Sequence, residues 1–422
     1  MTSVQNRLQP LNGNRFSRLL LLALAFFVVS CSKKVSAPTK SPVVKSETKV
    51  DSSSFEDKTK TAAMKRKSNP VPVISLLLPF NLNNIDVESV NNKKDLQNSS
   101  IALDFYQGFR MGVDSATKAG SKIKLQVFDT RDDASEVRRL AQSPAVVNSN
   151  LVIGPVYPSE ISVISPITKE NEQFFVSPLS PKVTISNNPF LIMPNSPLDV
   201  HAKREAEFII EKFEAKRIVL IKDSAGFDSK FVDSFKKEVD ELSVGVGVSE
   251  FRIGSNNFSG IRSVLVKGAN NILVIASSNK SFWLDLIKFV NANSSNYQFT
   301  LFAYPGFDKL ATSIGLSTVE KANVYFTSSF HVDKHDPANV GFFEKYKSIY
   351  AADANEYAIK GFDIGFYFAR LLGTNKNNFA QNVGKFYSGV HNNFQFVKTP
   401  NGYLNQSLKI LKVQNGHITE QR

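Results

Sequence analysis

Cysteine is almost absent from this chain. Cys31 is the only one among 422 residues, so no internal disulfide can form. The motifs of two common enzyme classes are also absent, since neither a Gly-x-x-x-x-Gly-Lys phosphate loop nor a Gly-x-Ser-x-Gly elbow occurs. Gly245-Val246-Gly247 lacks the third glycine and the preceding strand of a dinucleotide-binding loop, which makes a turn the better interpretation. We therefore predict a protein with no catalytic residue and no cofactor.

Residues 1–30 have the features of an export signal. Three arginines precede the apolar run Leu19 to Val29, which is too short to span a bilayer comfortably. The run ends in Val28-Val29-Ser30-Cys31, which resembles the lipobox of bacterial lipoproteins. That resemblance implies that Cys31 receives diacylglycerol and becomes the new N-terminus. The alternative is an ordinary signal peptide with a chance cysteine at its end.

The segment 31–70 is predicted to be a disordered, lipid-anchored tether. It is rich in Lys, Ser, Thr and Pro and has very few large apolar residues, so it cannot bury enough surface to offset its ordering entropy. Flexible-chain scaling gives it a reach of roughly 35 Å. Lys33 and Lys34 follow Cys31 closely with no early acidic residue, which favours anchoring in the outer membrane with the body facing the periplasm.

The formal net charge of +13 invites a nucleic-acid interpretation. Part of this charge, however, lies in the signal and the tether, where Lys65-Arg66-Lys67 forms one cluster. Basic residues beside a lipid anchor suit anionic lipid head groups or the carboxylates of the cell wall. A solvated linker without a specific partner is the alternative, and we predict no nucleic-acid partner.

From residue 71 onward, strand-like and helix-like patterns alternate over about 350 residues. Val73 to Leu78 is a continuous apolar run of the kind found in a sheet covered on both faces, and Ile101 to Ala119 has one apolar helical face. The same alternation restarts after Asp199. Two such series predict two doubly wound α/β lobes, with a ligand site beyond the carboxyl ends of the strands, in a cleft between the lobes.

Six stretches spread over this body carry a family resemblance: Ile74–Phe80, Val152–Ser159, Phe175–Pro178, Ile218–Asp223, Val324–Phe330 and Gly361–Asp363. In order and spacing they resemble the type I periplasmic binding fold of branched-chain amino-acid binding proteins and related receptor ligand-binding domains. The opening Leu-Leu-Pro-Phe and the closing Asn401–Asn405 further resemble a Bacteroidetes-type lipoprotein branch that often carries LysM repeats. No LysM-like segment occurs here, and the tether occupies its place.

The resemblance implies an α/β fold of two doubly wound, Rossmann-like lobes joined by three hinge crossovers. The first lobe would comprise residues 71–195 plus 330–390, and the second residues 196–329 plus 391–422. Closure of the hinge around a ligand would follow from that geometry.

The resemblance also implies a ligand site, which departs from the amino-acid binders at each matched position. Pro158 stands where a hydroxyl would contact the substrate carboxylate, with Ser159 beside it. A threonine is expected near Pro181, where only Ser180 and Thr184 are close, and Phe227 lacks an expected aromatic hydroxyl. The candidate cleft residues are Tyr157, Ser159, Ser180, Thr184, Phe227, Tyr304 and Phe330.

The acidic residue that would receive a substrate ammonium should fall near Pro305, and there is none. Burying a zwitterion without partners for both charges costs several kcal/mol. A free amino acid is therefore a poor candidate ligand.

His331, Asp333, His335 and Asp336 form a cluster that could ligate a metal. Asp336-Pro337 also fits the start of a helix, and the resemblance places the cluster in a surface loop. We predict no metal site.

Two functions fit these features. The favoured one is a non-catalytic envelope adaptor or regulator that binds a protein or a peptidoglycan-related partner, by analogy with the outer-membrane lipoprotein activators of penicillin-binding proteins. The alternative is a solute-binding lipoprotein that delivers a small neutral ligand, a peptide or an amino-acid derivative to an ABC-type transporter. Fold-level analogy alone does not choose between them.

The Cys31→Ala variant is expected to leave an unprocessed or soluble product, because the thiol that accepts the lipid is removed. Cell fractionation and intact-mass measurement test this. The Ser32→Ala variant retains the thiol and serves as the control. Unchanged membrane association of Cys31→Ala would contradict the predicted linkage.

Overall fold

The computed structural model of the protein describes residues 69–82, 93–180, 187–243, 245–255, 257–334, 336–375, 378–390 and 392–421, all within one compact unit. The predicted signal, the predicted lipidation site Cys31 and most of the predicted tether lie outside these residues, as do Thr184 and His335. Among the described helices, none combines the length and the apolar character that a membrane crossing requires.

The first part of the chain alternates strands and helices, as its apolar pattern predicts. Its elements are β1 (Val73–Leu78), α1 (Lys93–Lys118), β2 (Lys124–Asp129), α2 (Ala134–Ala141), α3 (Pro144–Val147), β3 (Leu151–Ile153), α4 (Pro158–Glu170), β4 (Phe175–Val176) and β5 (Leu191–Met193). All six residues of β1 are buried. The side chains of Asp133 and Ser143 cap α2 and α3 by accepting backbone N–H groups that would otherwise lack partners.

The middle of the chain repeats this alternation in the second lobe. Its elements are α5 (Leu198–Phe213), β6 (Arg217–Asp223), α6 (Ser229–Leu242), β7 (Gly247–Ile253), β8 (Asn270–Ala276), α7 (Lys280–Asn293), β9 (Gln298–Ala303), α8 (Phe307–Ile314), α9 (Leu316–Lys321) and β10 (Val324–Ser328). Gly245 has a φ of +108°, in agreement with the predicted turn. The strand β7 that follows was not predicted, because most of its residues are exposed or half-buried and give no apolar run.

The last part of the chain contributes to both lobes. Its elements are α10 (Pro337–Tyr350), α11 (Glu356–Asn375), α12 (Phe379–Asn382), β11 (Tyr387–Ser388), β12 (Asn393–Phe394), β13 (Phe396–Thr399), β14 (Gly402–Asn405), β15 (Lys409–Gln414) and β16 (His417–Gln421). α10 begins directly after Asp336, so the helix start that competed with the metal interpretation is confirmed.

Two seven-stranded sheets form the lobes. The first has the strand order β13-β14-β5-β4-β3-β1-β2 and the second β16-β15-β10-β9-β8-β6-β7. Their central strands pair in parallel, whereas β13 with β14, β10 with β15 and β15 with β16 pair antiparallel. Helices cover both faces of each sheet. The predicted α/β class with two doubly wound lobes is confirmed.

The chain passes between the sheets three times: between β5 and α5, after β10, and between β14 and β15. The last passage differs from the predicted boundary at residues 390/391. β14 pairs with β5, and β13 pairs with β14, so residues 396–405 belong to the first sheet. Asn405 fixes this edge, since its side chain donates to the carbonyl oxygens of Pro194 and Asn393 at 2.9 Å each.

Helices α1 and α11 pack with their backbones in close contact. A Cβ at Gly108 would overlap the carbonyl oxygen of Ala358, and one at Gly361 would overlap that of Phe105. Gly112 and Gly365 continue the same seam. Glycine is therefore required along this crossing, which joins the first and last parts of the chain.

The Gly361→Ala variant is expected to lose about 1–3 kcal/mol of unfolding free energy, because the added methyl group forces the two helices apart. Gly341 on α10 provides the control, since a Cβ there has open space. The Gly341→Ala variant should gain roughly 0.5–1 kcal/mol from helix propensity. Urea unfolding of both variants tests this, and equal effects of the two substitutions would contradict the tight crossing.

Candidate functional site

A pocket of about 320 Å³ lies at the carboxyl edge of the first sheet. Its walls come from the ends of β1, β3 and β4 and from helices α1, α4 and α11, and they are mostly apolar. The lining residues are Leu78, Pro79, Ile101, Ala102, Phe105, Val156, Tyr157, Pro158, Leu179, Ser180 and Tyr357. Its polar side chains, Tyr157, Ser180 and Tyr357, each carry a hydroxyl and no charge. The pocket therefore suits a small apolar body with hydrogen-bonding capacity at its rim.

The loop that follows β3 is shaped by Gly154. Its φ of +89° lies in the left-handed region, and a Cβ there would overlap the carbonyl oxygen of Leu77. Only glycine fits such a position without strain. The loop then brings Val156 and Tyr157 into the pocket wall and enters α4 at Pro158, where a missing N–H is tolerated.

Glu160 lies behind this loop in the first turn of α4. It is only 1 % exposed, and its carboxylate accepts the backbone N–H of Tyr157 at 3.4 Å. Burial raises the pKa of Glu160 to about 7. Burial likewise raises the pKa of Tyr157 to about 12, so its hydroxyl keeps its proton and can donate a hydrogen bond.

The second lobe presents a phenol and a carboxylate at its own carboxyl edge. Tyr304 follows β9 directly, and its hydroxyl lies 3.5 Å from Asp228, which also caps α6. Burial, and then Asp228, raises the pKa of Tyr304 to about 12. The neighbouring ring of Phe227 lies 5.3 Å from the ammonium of Lys222 and 5.8 Å from the guanidinium of Arg252. Phe227 therefore interacts with two cations.

One ion pair joins the two carboxyl edges. Lys309, in the first turn of α8 in the second lobe, donates to Glu356, the first residue of α11 in the first lobe, at 3.0 Å. The bond to Glu356 raises the pKa of Lys309. The Lys309 side chain is 73 % exposed, so the pair contributes only about 0–1 kcal/mol to stability. The pair nevertheless shows that the carboxyl edges of the two lobes are in contact.

Lys360 lies one turn further along α11, beside the pocket. Its ammonium is 4.8 Å from the ring centroid of Phe330 and 5.9 Å from that of Tyr357. Burial lowers the pKa of Lys360, while Glu356 acts in the opposite direction. Asp308 on α8 also acts on Lys360 and on Lys309. The mouth of the cleft is thus a cluster of two lysines and two carboxylates bordered by aromatic rings.

The structure brings some predicted site residues together and separates others. Tyr157 and buried Ser180 line the first-lobe pocket, whereas Phe330 lies under Lys360 and lines a different cavity, together with His331 and Asp308. Phe227 and Tyr304 lie in the second lobe. Ser159 is exposed at the second position of α4 and does not line the pocket, whose rim is formed by Pro158 instead. The ligand-binding role of these residues stays a prediction.

Sequence reasoning missed the charged mouth of the cleft. Glu356, Tyr357 and Lys360 immediately precede the recognised Gly361-Phe362-Asp363 stretch, and Lys309 follows Pro305 by four residues. Their position beside motifs of the family resemblance was the one feature of the sequence that could have identified them as site residues. Their pairing across 47 positions of sequence was not visible.

Among the described residues, no group of three or more His, Cys, Asp or Glu side chains is arranged to hold a metal ion. His331 is half-buried and Asp333 is exposed, while His335 lies outside the described part of the chain.

The model of the periplasmic binding protein family matches residues 97–403, well over half of the chain. None of the curated protein sequences matches it.

Solved structures share its fold. A putative branched-chain amino acid ABC transporter protein from Rhodospirillum rubrum has a TM-score of 0.62 and 16 % identity over 83 % of this chain and 100 % of that one. An ABC-type branched-chain amino acid transporter protein from Rhodopseudomonas palustris has a TM-score of 0.57 and 15 % identity over 83 % and 95 %. An ABC transporter substrate-binding protein from Desulfitobacterium hafniense has a TM-score of 0.55 and 17 % identity over 83 % and 99 %.

At such low identity these structures establish the fold alone. The match of the family model over most of the chain also establishes the family, and the two lobes, the three crossovers and the pocket at the carboxyl edge agree with it. The chain therefore belongs to the periplasmic binding protein family and has its type I two-lobed fold.

Proposed function

We propose that this protein is a non-catalytic solute-binding protein that captures a small, weakly polar solute in the cleft between its lobes. The observation that carries this proposal is the apolar pocket of about 320 Å³, at the small end of the range of roughly 300–1,000 Å³ that is usual for small-molecule sites. Its walls combine both ends of the first lobe's chain, with α1 on one side and Tyr357 of α11 on the other.

The solved structures favour this function over the adaptor that the sequence favoured. They include an ABC transporter substrate-binding protein and branched-chain amino acid ABC transporter proteins. The adaptor hypothesis rests on the predicted anchor, the long basic tether and a binding site without partners for the charges of an amino acid. The pocket supplies a formed cavity that an adaptor would not need, so the solute-binding alternative is supported better.

The charges at the cleft define the chemistry of the solute. Asp308 and Glu356 are carboxylates near the site, but Glu356 is bound by Lys309, and Asp308 faces Lys309 and Lys360. These lysines already balance the negative charge that an ammonium group would require. The cleft therefore favours a solute with an apolar body and a neutral polar end, such as an amide or an amino-acid derivative.

Export and anchoring through Cys31 to the outer membrane, with the body in the periplasm, complete the proposal. They are supported by the sequence of the signal, the lipobox-like end and the basic residues after the cysteine. The proposal includes delivery of the solute to an ABC-type transporter, which the transporter proteins among the solved structures support.

Native mass spectrometry of the full protein, extracted from its own envelope in mild detergent, tests the proposed function. We expect a small molecule at stoichiometric occupancy. The Leu179→Trp variant should lose this mass, because the larger side chain fills the pocket. Leu103 lies on α1 next to the lining residues but is 46 % exposed, so the Leu103→Trp variant is the matched control and should retain the mass.

A bare chain that is held in a larger protein complex would contradict solute binding and support the adaptor. Retention of the small molecule by the Leu179→Trp variant, at unchanged thermal stability, would place the solute outside this pocket.

The raised pKa of Glu160 predicts a pH dependence of stability. The folded protein keeps a proton at Glu160 up to about pH 7, whereas the unfolded chain releases it near the ordinary value of 4.5. The stabilising contribution is therefore complete below pH 4.5 and lost as the pH rises through 7, a change of roughly 3 kcal/mol. Urea unfolding of the Glu160→Gln variant should lack this change between pH 5 and 8. If the variant and the wild type showed the same dependence of stability on pH, Glu160 would not be its cause.

A further inference from the structure

A second cavity, of about 510 Å³, lies against the later turns of α11. We call it the basic aromatic groove, and it is lined by Phe366, Arg370, Thr374, Lys385, Phe386 and Tyr387 among others. Arg370 follows Glu356 of the cleft by 14 residues on the same helix. At 1.5 Å per residue the two positions are about 21 Å apart along the axis. The groove is therefore separate from the solute pocket.

The charge of the groove is positive. Arg370 and Lys385 are both exposed, no carboxylate lines the cavity, and in the described part of the chain neither cation forms an ion pair. Asp363 acts on the neighbouring Tyr387, but it is buried and accepts two backbone N–H groups of the loop after β11 at 2.8 and 2.9 Å. The groove thus lacks a carboxylate of its own to balance its two cations.

Aromatic rings form the walls between these cations. The guanidinium of Arg370 lies 5.8 Å from the ring centroid of Phe366, and the Tyr387 ring lies 6.3 Å from that of Phe366. Phe386, next to Lys385, is 61 % exposed. Covering an apolar ring that is exposed to water with a ligand is favourable, because apolar surface is removed from water. The exposed Phe386 ring therefore offers a surface against which a flat apolar body can pack.

We propose that the basic aromatic groove is a second binding site, for a small aromatic carboxylate. The carboxylate lies between Arg370, whose planar fork matches its geometry, and Lys385. The ring of the ligand packs against Phe366 and Phe386. The volume of the groove falls within the range usual for small-molecule sites. This site goes beyond the proposed function, since it takes a second molecule of different charge on another face of the lobe.

Three probes test the chemistry on the full chain by isothermal titration calorimetry: 3-phenylpropionate, its uncharged amide and acetate. We expect one equivalent of 3-phenylpropionate to bind, with an affinity that falls as salt is raised. The amide and acetate should bind at least about tenfold more weakly, because each lacks one of the two recognised parts. Equal binding of the amide would overturn the role of the cations, and equal binding of acetate that of the rings.

Variants locate the site. The Arg370→Gln and Lys385→Gln double variant should bind 3-phenylpropionate at least about tenfold more weakly at an unchanged melting temperature. The Lys169→Gln variant removes one exposed charge from α4 and should bind as the wild type does. Binding that survives the double variant, or that the Leu179→Trp substitution in the cleft abolishes, would overturn the assignment to the groove.

Discussion

The close contact between α1 and α11 determines where the site can form. Glycines on both helices allow the backbones to touch, so a helix from the last third of the chain packs beside one from its beginning. That contact brings Tyr357 next to Ile101 and Phe105, and it places Lys360 at the mouth of the cleft. With bulkier residues along this seam, the pocket would lose the wall that α11 forms, and Lys309 would lose its ion-pair partner Glu356.

Much of the fold could be predicted from the sequence, because buried parallel strands are continuous apolar runs. The predicted run Val73 to Leu78 coincides with β1 at both ends. The edges of the sheets were harder to predict. Most residues of β7 are exposed or half-buried, and β5 has only three residues. β14 joins the first sheet through long-range pairing with β5, and β13 pairs with β14. Such membership depends on contacts between distant segments, and the boundary implied by the family resemblance placed the last crossover about fifteen residues too early.

The site was predictable only in part, for a related reason. The loops after matched strands identify positions such as Tyr157 and Ser180, which do line the pocket. Whether a neighbouring side chain turns toward the cleft depends on the first turn of a helix, and Ser159 turns to solvent while Pro158 lines the rim. The charges that decide the polarity of the cleft come from Lys309, Glu356 and Lys360, on two different lobes.

The late return of the chain to both sheets has a consequence for biogenesis. The first sheet is incomplete until β13 and β14 are available, and the second until β15 and β16 are available. During synthesis from the N-terminal end, neither sheet can reach its full strand order before residue 405 has emerged. The growing chain must therefore remain unfolded, or only partly folded, over most of its length, with the apolar strands β1 and β8 exposed to aggregation or to a holding chaperone. Sheet completion, rather than the early strands, would then set the time at which the body becomes resistant to proteolysis.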